Sequence, residues 1–177
     1  GADRVVTVDL HAGQIQGFFD IPVDNLFATP IFARHARKKI KSKKIVCVAP
    51  DVGGTERARA LGKLLNVGLA IVDKRRPKPG QSQVMNVIGD VKGQTCIIVD
   101  DIIDSGGTIV NAAKALKAKG AKEVFVYITH GVLSGDAVRK IKNSVIKNLV
   151  ITDTIDNSEK IKNVKNIEVL PISGLIG

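Results

Sequence analysis

The sequence is poor in aromatic residues and in cysteine. Its 177 residues include no Trp, one Tyr and five Phe, although 44% of them are hydrophobic. The core must therefore be built from Val, Ile, Leu and Ala, which suits the packing of helices against a sheet. The two cysteines, Cys47 and Cys96, lie inside apolar runs and show no CxxC or zinc-type spacing. This pattern predicts two reduced core residues in a cytoplasmic protein.

The sequence also lacks any apolar run that approaches the length of a membrane span, and residues 1–4 show no apolar signal region. We therefore expect no membrane partner. The chain does not begin with Met, so we expect it to be a fragment of a longer protein. A length of 177 residues favours one full core with at most an appendage.

Acidic residues are outnumbered, with 17 Asp and Glu against 27 Lys and Arg, which gives a net charge of +10. Such an excess can indicate a nucleic-acid-binding protein. However, the basic cluster at residues 34–44 contains no aromatic residue that could stack on bases. We favour a solvated basic surface on a protein whose ligands are phosphates, and we expect no nucleic-acid partner.

Apolar runs alternate with helix-like segments along the chain. This order predicts an α/β fold, with a mostly parallel sheet flanked by helices in a Rossmann-like arrangement. Strands are predicted at residues 4–8, 45–49, 69–72, 84–88, 95–99, 123–129, 149–152 and 167–170, and helices at residues 30–41, 55–65, 109–119 and 136–143. Residues 73–83 contain two prolines, one glycine and four cations, which predicts a long charged loop and a candidate lid.

The most informative segment is residues 96–108, which read Cys-Ile-Ile-Val-Asp-Asp-Ile-Ile-Asp-Ser-Gly-Gly-Thr. Its apolar run predicts a buried parallel strand with Asp100 and Asp101 at the end, where ligands of such sheets gather. The following turn and helix start would offer backbone N–H groups to an anion. A plain corner with Asp104 or Ser105 as the helix cap would explain one polar residue, but not three carboxylates and two glycines. The segment therefore predicts a site for a phosphorylated sugar.

Residues 50–59 show the same arrangement of a carboxylate, a glycine turn and a helix start, after the predicted strand at residues 45–49. Asp51 is followed by Gly53, Gly54 and a helix start, which predicts a second anion site at the same sheet edge. The alternative is again an ordinary strand-to-helix corner.

Several of these segments resemble known family motifs. Residues 96–108 resemble the phosphoribosyl-pyrophosphate motif that type I phosphoribosyltransferases share with ribose-phosphate diphosphokinases. Residues 8–26 resemble, almost residue for residue, the signature of the second family, whose members are also called phosphoribosyl-pyrophosphate synthetases. Residues 50–59, 73–77 and 129–135 resemble further segments of that family.

The resemblance implies that pyrophosphate is transferred from ATP to the C1 hydroxyl of ribose 5-phosphate, giving phosphoribosyl pyrophosphate for nucleotide biosynthesis. It implies Mg²⁺ as cofactor, with His11 and Asp51 as its ligands, and Lys74 and Arg76 as catalytic loop cations. The implied ribose 5-phosphate site comprises Asp100, Asp101, Asp104, Ser105, Gly106, Gly107 and Thr108. The implied pyrophosphate-side loop comprises Asp51, Gly53 and Gly54, and a possible regulatory site comprises Gln16, Asp24 and Asn25.

The resemblance also implies a domain division. Residues 1–27 would be the remnant of an N-terminal domain, and residues 28–177 would form a phosphoribosyltransferase-like C-terminal domain. The family's N-terminal half brings most of its ATP-binding residues, so we expect this chain alone to be inactive and the full-length form to be a homo-oligomer.

Two alternatives stay open. One is a type I phosphoribosyltransferase, and the other is a non-catalytic regulatory homologue that senses phosphoribosyl pyrophosphate. The signature around His11 and the loop with Lys74 and Arg76 argue against both.

Overall fold

The computed structural model describes residues 1–75 and 84–177, apart from the side chains of Lys74, Arg75 and Val84. The strands are β1 (Val5–Val8), β2 (Val23–Leu26), β3 (Ile45–Ala49), β4 (Gly68–Arg75), β5 (Val84–Ile88), β6 (Thr95–Ile103), β7 (Glu123–Gly131), β8 (Asn148–Thr152) and β9 (Ile167–Leu170). The helices are α1 (Thr29–Lys39), α2 (Thr55–Leu65), α3 (Gly107–Ala118), α4 (Ala137–Lys142), α5 (Ser158–Ile161) and α6 (Ser173–Ile176), and a 3-10 helix spans Gly13–Phe18. Among these described residues, no helix has the length and apolar character that a membrane span requires.

Seven strands form one sheet in the order β5-β4-β3-β6-β7-β8-β9. All neighbouring pairs are parallel except β4 and β5, which are antiparallel. The strands β1 and β2 form a separate, parallel two-stranded sheet. The prediction of a mostly parallel α/β fold is confirmed.

Helices cover both faces of the large sheet, so the central strands are apolar on both sides. On one face, Phe32 of α1 and Leu61 of α2 pack in a cluster that includes Cys47. On the other face, Leu116 of α3 and Ile141 of α4 pack in a cluster that includes Cys96. Burial raises the pKa of both thiols to about 12, which keeps them protonated and unreactive at neutral pH.

Three predicted strand ends were wrong at the edge of the sheet where parallel strands end, because β4, β6 and β7 each continue beyond the predicted residue. β6 continues past Val99 to Ile103, because β7 pairs with it as far as Gly131. Asp100 and Asp101 therefore lie within β6 rather than after it. Similarly, β4 continues to Arg75 through antiparallel pairing with β5. Residues 73–75 of the predicted loop are strand, and residues 76–83 lie outside the described residues.

The prediction missed β2, whose sequence Val-Asp-Asn-Leu lacks a regular apolar pattern. Pairing with β1 forms this strand, and polar contacts support it: Arg4 makes a 2.7 Å ion pair with Asp24, and Thr7 Oγ1 donates to Asn25 Oδ1. The four-residue helices α5 and α6 were also missed, because one helical turn carries no readable period.

Candidate functional site

A cavity of about 250 Å³ lies between the end of β6 and the start of α3. It therefore sits at the sheet edge where ligands of open α/β sheets bind. Its walls combine one continuous loop with the carboxylate residues Asp51, which follows β3, and Asp100, which lies in β6. The lining residues are Asp51, Asp100, Ile102, Ile103, Asp104, Ser105, Gly106, Gly107, Thr108 and Ile109.

The loop turns into α3 at Gly106, whose φ of +74° lies in the left-handed region that favours glycine. Within the described part of the chain, no side chain caps this helix start, so the structure does not show the alternative of a plain corner capped by Asp104 or Ser105. The first backbone N–H groups of a helix need partners from outside it, and they attract anions. A Cβ added at Gly107 would meet no described atom within 4 Å, so the backbone faces open space. The loop can hold a phosphate group.

Asp100 and Asp101 point to different surroundings, because side chains alternate along a strand. Asp100 lines the cavity, and its Oδ1 lies 3.4 Å from Arg57 Nη1. Asp101 is only 2% exposed, and its Oδ2 lies 2.7 Å from His11 Nδ1 and 3.6 Å from Arg57 Nη2. The structure thus places Asp100 in the predicted sugar-phosphate site and Asp101 behind it.

The two carboxylates differ in ionisation. Burial, followed by the neighbouring Asp101 side chain, raises the pKa of Asp100 to about 7. Burial also opposes ionisation of Asp101, but the hydrogen bond from His11 and the charge of Arg57 prevail and hold its pKa below the usual range. At neutral pH, Asp100 can therefore exchange a proton, whereas Asp101 remains a carboxylate.

The second predicted anion site, the strand-to-helix corner at residues 50–59, lies beside the same cavity as the first. Asp51 follows β3 and lines the cavity, and its Oδ1 accepts a hydrogen bond from the Gly54 N–H at 3.0 Å. A Cβ at Gly53 would lie 3.3 Å from Asp51 Oδ1, and a Cβ at Gly54 would lie 3.2 Å from Pro50 Cδ. Gly53 and Gly54 shape the corner rather than line the cavity.

The residues fit a magnesium ion in part. Mg²⁺ in proteins commonly binds one or two carboxylates together with water and substrate phosphates. Asp51 fits this chemistry, since its carboxylate faces the cavity. His11 contacts Asp101 instead, which leaves its Nε2 as the nitrogen that could face a ligand. No three His, Cys, Asp or Glu side chains in residues 1–75 and 84–177 are grouped to hold an ion by themselves. A metal here would take further ligands from a substrate.

The other predicted site residues lie either away from the cavity or outside the residues that the structure describes. Gln16 Nε2 donates to the Gly13 carbonyl, Asp24 pairs with Arg4, and Asn25 Oδ1 accepts from the Leu10 N–H at 3.2 Å. These contacts stabilise the region before α1, and the regulatory role stays a prediction. The side chain of Lys74 and the whole of Arg76 lie outside the described residues, so their catalytic role also stays a prediction.

Arg57 is the site residue that the sequence interpretation missed. It lies in the first turns of α2, and its guanidinium contacts both Asp100 and Asp101. A usable signal was present, because two adjacent carboxylates near a buried strand end require a cation. Its partners are 43 and 44 residues away in the chain, so spacing alone could not pair them.

A second cavity of about 300 Å³ lies at the opposite edge of the sheet, where α2 ends and β4 begins. Arg59 and Lys63 line it, and none of the residues predicted for a site does. Its size alone carries no chemistry, so the smaller cavity is the candidate site.

The chain is similar to a family of known proteins. The model of the phosphoribosyl synthetase-associated domain matches residues 73–177. Over 176 residues, the chain is 62% identical to a ribose-phosphate pyrophosphokinase of Bradyrhizobium diazoefficiens, covering 99% of this chain and 56% of that protein. A ribose-phosphate pyrophosphokinase of Agrobacterium fabrum is 60% identical and covers 100% of this chain, which in turn spans 57% of that protein.

Solved structures show the same relationship. The phosphoribosylpyrophosphate synthetase of Mycobacterium smegmatis superposes with a TM-score of 0.90 at 40% identity, covering 99% of this chain and 57% of that chain. A purine phosphoribosyltransferase of Pyrococcus horikoshii superposes with a TM-score of 0.51 at 20% identity, covering 96% of this chain and 88% of that chain, which shows a shared fold. The chain spans about half the length of the curated relatives that it matches. Since the family model covers more than half of its residues, the chain belongs to the phosphoribosyl synthetase-associated domain family.

Proposed function

We propose that this chain supplies the ribose 5-phosphate site of a ribose-phosphate pyrophosphokinase. The observation that carries this proposal is the cavity that Asp100 and the start of α3 line together, at a helix start that no described side chain caps. In the proposed complex, the N–H groups at the start of α3 bind the 5-phosphate. Asp100 accepts hydrogen bonds from the sugar hydroxyls. Asp101 contributes indirectly, since it contacts His11 and Arg57 rather than the cavity.

The reaction we propose is transfer of the pyrophosphoryl group of ATP to the C1 hydroxyl, with AMP as the leaving group. The relatives are named ribose-phosphate pyrophosphokinases, which supports this reaction. Because the chain spans about half of their length, we propose that turnover requires the full-length protein and that the chain alone releases little AMP.

A bound Mg²⁺ would offset phosphate charge and align the transferred group. Asp51 would hold it together with substrate oxygens, and the Gly54 N–H fixes the orientation of the Asp51 carboxylate. His11 is the second proposed ligand, through its Nε2. Lys74 and Arg76 are proposed to lie against the equatorial oxygens of the transferred group.

One experiment separates this function from a phosphoribosyltransferase. The full-length protein is incubated either with ATP and ribose 5-phosphate or with phosphoribosyl pyrophosphate and a purine base, and the products are separated by chromatography. We expect AMP in the first reaction and no nucleotide in the second. Nucleotide formation in the second reaction without AMP in the first would contradict the proposal.

Two further properties stay proposals. We propose that the full-length protein is a homo-oligomer, which light scattering after size-exclusion chromatography would measure. We also propose a cytoplasmic location, consistent with relatives named as enzymes that use ribose phosphate.

A further inference from the structure

We propose that residues 129–134, at the end of β7 and just beyond it, hold both the turn before His11 and the loop that leads into α3. Within this segment, Thr129 and His130 act as positioning residues for His11. This inference rests on the proposed function for its catalytic consequence. The segment contains most of the sequence motif at residues 129–135, which the proposed reaction leaves without a role. None of its side chains lines the cavity.

One side of the 129–134 segment holds the chain just before His11. The buried hydroxyl of Thr129 donates to Asp9 Oδ2 at 2.6 Å, and the same oxygen accepts the Ala28 N–H at 2.9 Å. Asp9 is 2% exposed and has a φ of +46°, in the left-handed region that few residues other than Gly, Asn and Asp adopt. The surrounding contacts therefore hold an uncommon backbone conformation in place.

His130 makes the second contact to this turn. Its Nε2–H donates to the Val8 carbonyl at 2.8 Å, because a carbonyl can only accept, and its Nδ1 lies 3.0 Å from the Thr154 hydroxyl. Val8 and Asp9 are thus held by two adjacent side chains of β7.

The other side of the segment holds the phosphate-type loop through its backbone. The N–H groups of Val132 and Leu133 donate to the Ile103 carbonyl at 3.0 and 3.2 Å. The N–H of Ser134 donates to the Asp104 carbonyl at 3.2 Å. These bonds involve no side chain of the segment, so substitutions at Thr129 or His130 leave the groups that make them intact.

We expect the two sides of the 129–134 segment to have separable effects on the site. His11 follows Asp9 by two residues and reaches Asp101 at 2.7 Å, so movement of the Asp9 turn displaces His11 from that carboxylate. The loop from Asp104 into α3 remains fastened. Loss of the His130 side-chain contact should therefore impair turnover more than ribose 5-phosphate binding.

Two substitutions at His130 make a matched pair. In His130→Gln, the side-chain amide nitrogen takes the position of Nε2 and can still donate to the Val8 carbonyl. In His130→Asn, the amide nitrogen takes the position of Nδ1, and the donor to Val8 is lost. Amide hydrogen exchange is measured on the 177-residue chain, ribose 5-phosphate affinity by calorimetry, and turnover on the full-length protein.

We expect His130→Asn to speed exchange at the Ala28 amide about tenfold and to lower turnover by a similar factor. Exchange at Ser134 and affinity for ribose 5-phosphate should stay within about threefold of the parent. His130→Gln should restore Ala28 exchange and turnover to within about threefold.

Unchanged exchange at Ala28 or unchanged turnover in His130→Asn would overturn the inference. So would a joint loss of Ser134 protection and ribose 5-phosphate affinity, because that pattern reports general unfolding. If the parent makes no AMP, the proposed function fails, while the exchange at Ala28 and Ser134 still decides whether the two sides of the segment act separately.

Discussion

Asp100 is the residue whose environment departs most clearly from that of a surface carboxylate. It faces the cavity, and its pKa is raised to about 7 by burial and by Asp101, whereas Arg57 partly offsets that effect. A group that is costly to ionise and yet faces a cavity is typical of functional sites, where stability is given up for chemistry. The residue therefore links the stability of the fold to its proposed function.

Replacing Asp100 with Asn should stabilise the protein at pH 8. The pKa of Asp100 in the folded state, about 7, exceeds its ordinary value of 3.8. The unfolded chain thus loses this proton first, and the stability of the parent falls as pH rises from about 4 to 7. Asn has no such proton, so we expect a gain on the order of 1–2 kcal/mol at pH 8 after allowing for lost attraction to Arg57, and no such gain near pH 4.

Thermal unfolding of the parent and Asp100→Asn between pH 4 and 8 checks this expectation. Asp101→Asn is the matched control. The pKa of Asp101 is lowered, so its carboxylate stabilises the folded state at neutral pH, and this variant should lose stability there. Equal losses at pH 8 in both variants would contradict the assigned ionisation of Asp100.

The proposed loop cations give a second expectation for single residues. If Lys74 and Arg76 act on charge that develops during transfer, Lys74→Ala and Arg76→Ala should each lower turnover of the full-length protein about a hundredfold. Affinity for ribose 5-phosphate should change only a few-fold, because the ground state does not carry that charge. Turnover within a few-fold of the parent in both variants would show that these cations are only surface charges.

The start of α3 is the element that we propose binds the phosphate group. Gly106 has a positive φ, and a Cβ there would make ordinary contacts at 3.7 Å with Ile141. Gly107 begins the helix, and a Cβ there would meet no described atom within 4 Å. We propose that the two glycines serve different purposes: Gly106 is needed by the backbone, and Gly107 leaves room for a ligand.

Alanine substitutions should separate these purposes. Gly106→Ala should destabilise the fold by about 1 kcal/mol, because a side chain is strained at that φ. Gly107→Ala should leave stability equal or slightly higher, since Ala favours helix, yet weaken ribose 5-phosphate binding about tenfold or more. Chemical unfolding and calorimetry on both variants measure the two quantities. Full affinity in Gly107→Ala would place the phosphate elsewhere.

A polar contact joins α1 to β9 away from the cavity, and it allows the contribution of one carboxylate to stability to be tested. Glu168 lies 3.0 Å from His35 Nε2 and 2.9 Å from Lys39 Nζ, and His35 also contacts the Tyr127 hydroxyl at 3.0 Å. Burial opposes ionisation of Glu168, but the hydrogen bonds from Lys39 and His35 prevail and lower its pKa.

Glu168→Gln should therefore lower the melting temperature at pH 7. The difference from the parent should shrink as pH falls through the lowered pKa of Glu168, because protonation removes the same charge from the parent. Affinity for ribose 5-phosphate should be unchanged. A constant difference across pH 3–7 would show that the link acts by packing rather than charge.

At the scale of the whole molecule, the site is assembled from segments far apart in the chain. The sequence predicted β3, α2, β5 and β9 with the observed bounds, because their apolar runs and glycine punctuation are local signals. It also predicted both corners, because a carboxylate followed by a glycine turn and a helix start is readable locally.

The missed features depend on distant partners. β6 includes Asp100 and Asp101 only because β7 extends beside it. The pair of His11 with Asp101 joins residues 90 positions apart, and that of Arg57 with Asp100 joins residues 43 apart. No local pattern encodes such pairs, so single-sequence reasoning named the motifs without saying which side chains meet.

Several hydrogen bonds join the two parts of the proposed division, residues 1–27 and residues 28–177. Asp9 bonds to Ala28 and Thr129, and Val8 bonds to His130. We propose that residues 1–27 belong to another domain by origin, while their end contributes to the site of residues 28–177.

Nuclear magnetic resonance titration of the ¹⁵N-labelled 177-residue chain with ribose 5-phosphate tests the central claim most directly. We predict that the largest amide shifts fall at residues 105–109, saturate with ligand, and are strongly reduced in Gly107→Ala. Saturating shifts at the α2–β4 cavity around Arg59 and Lys63, with residues 105–109 unmoved, would contradict the assignment of the site.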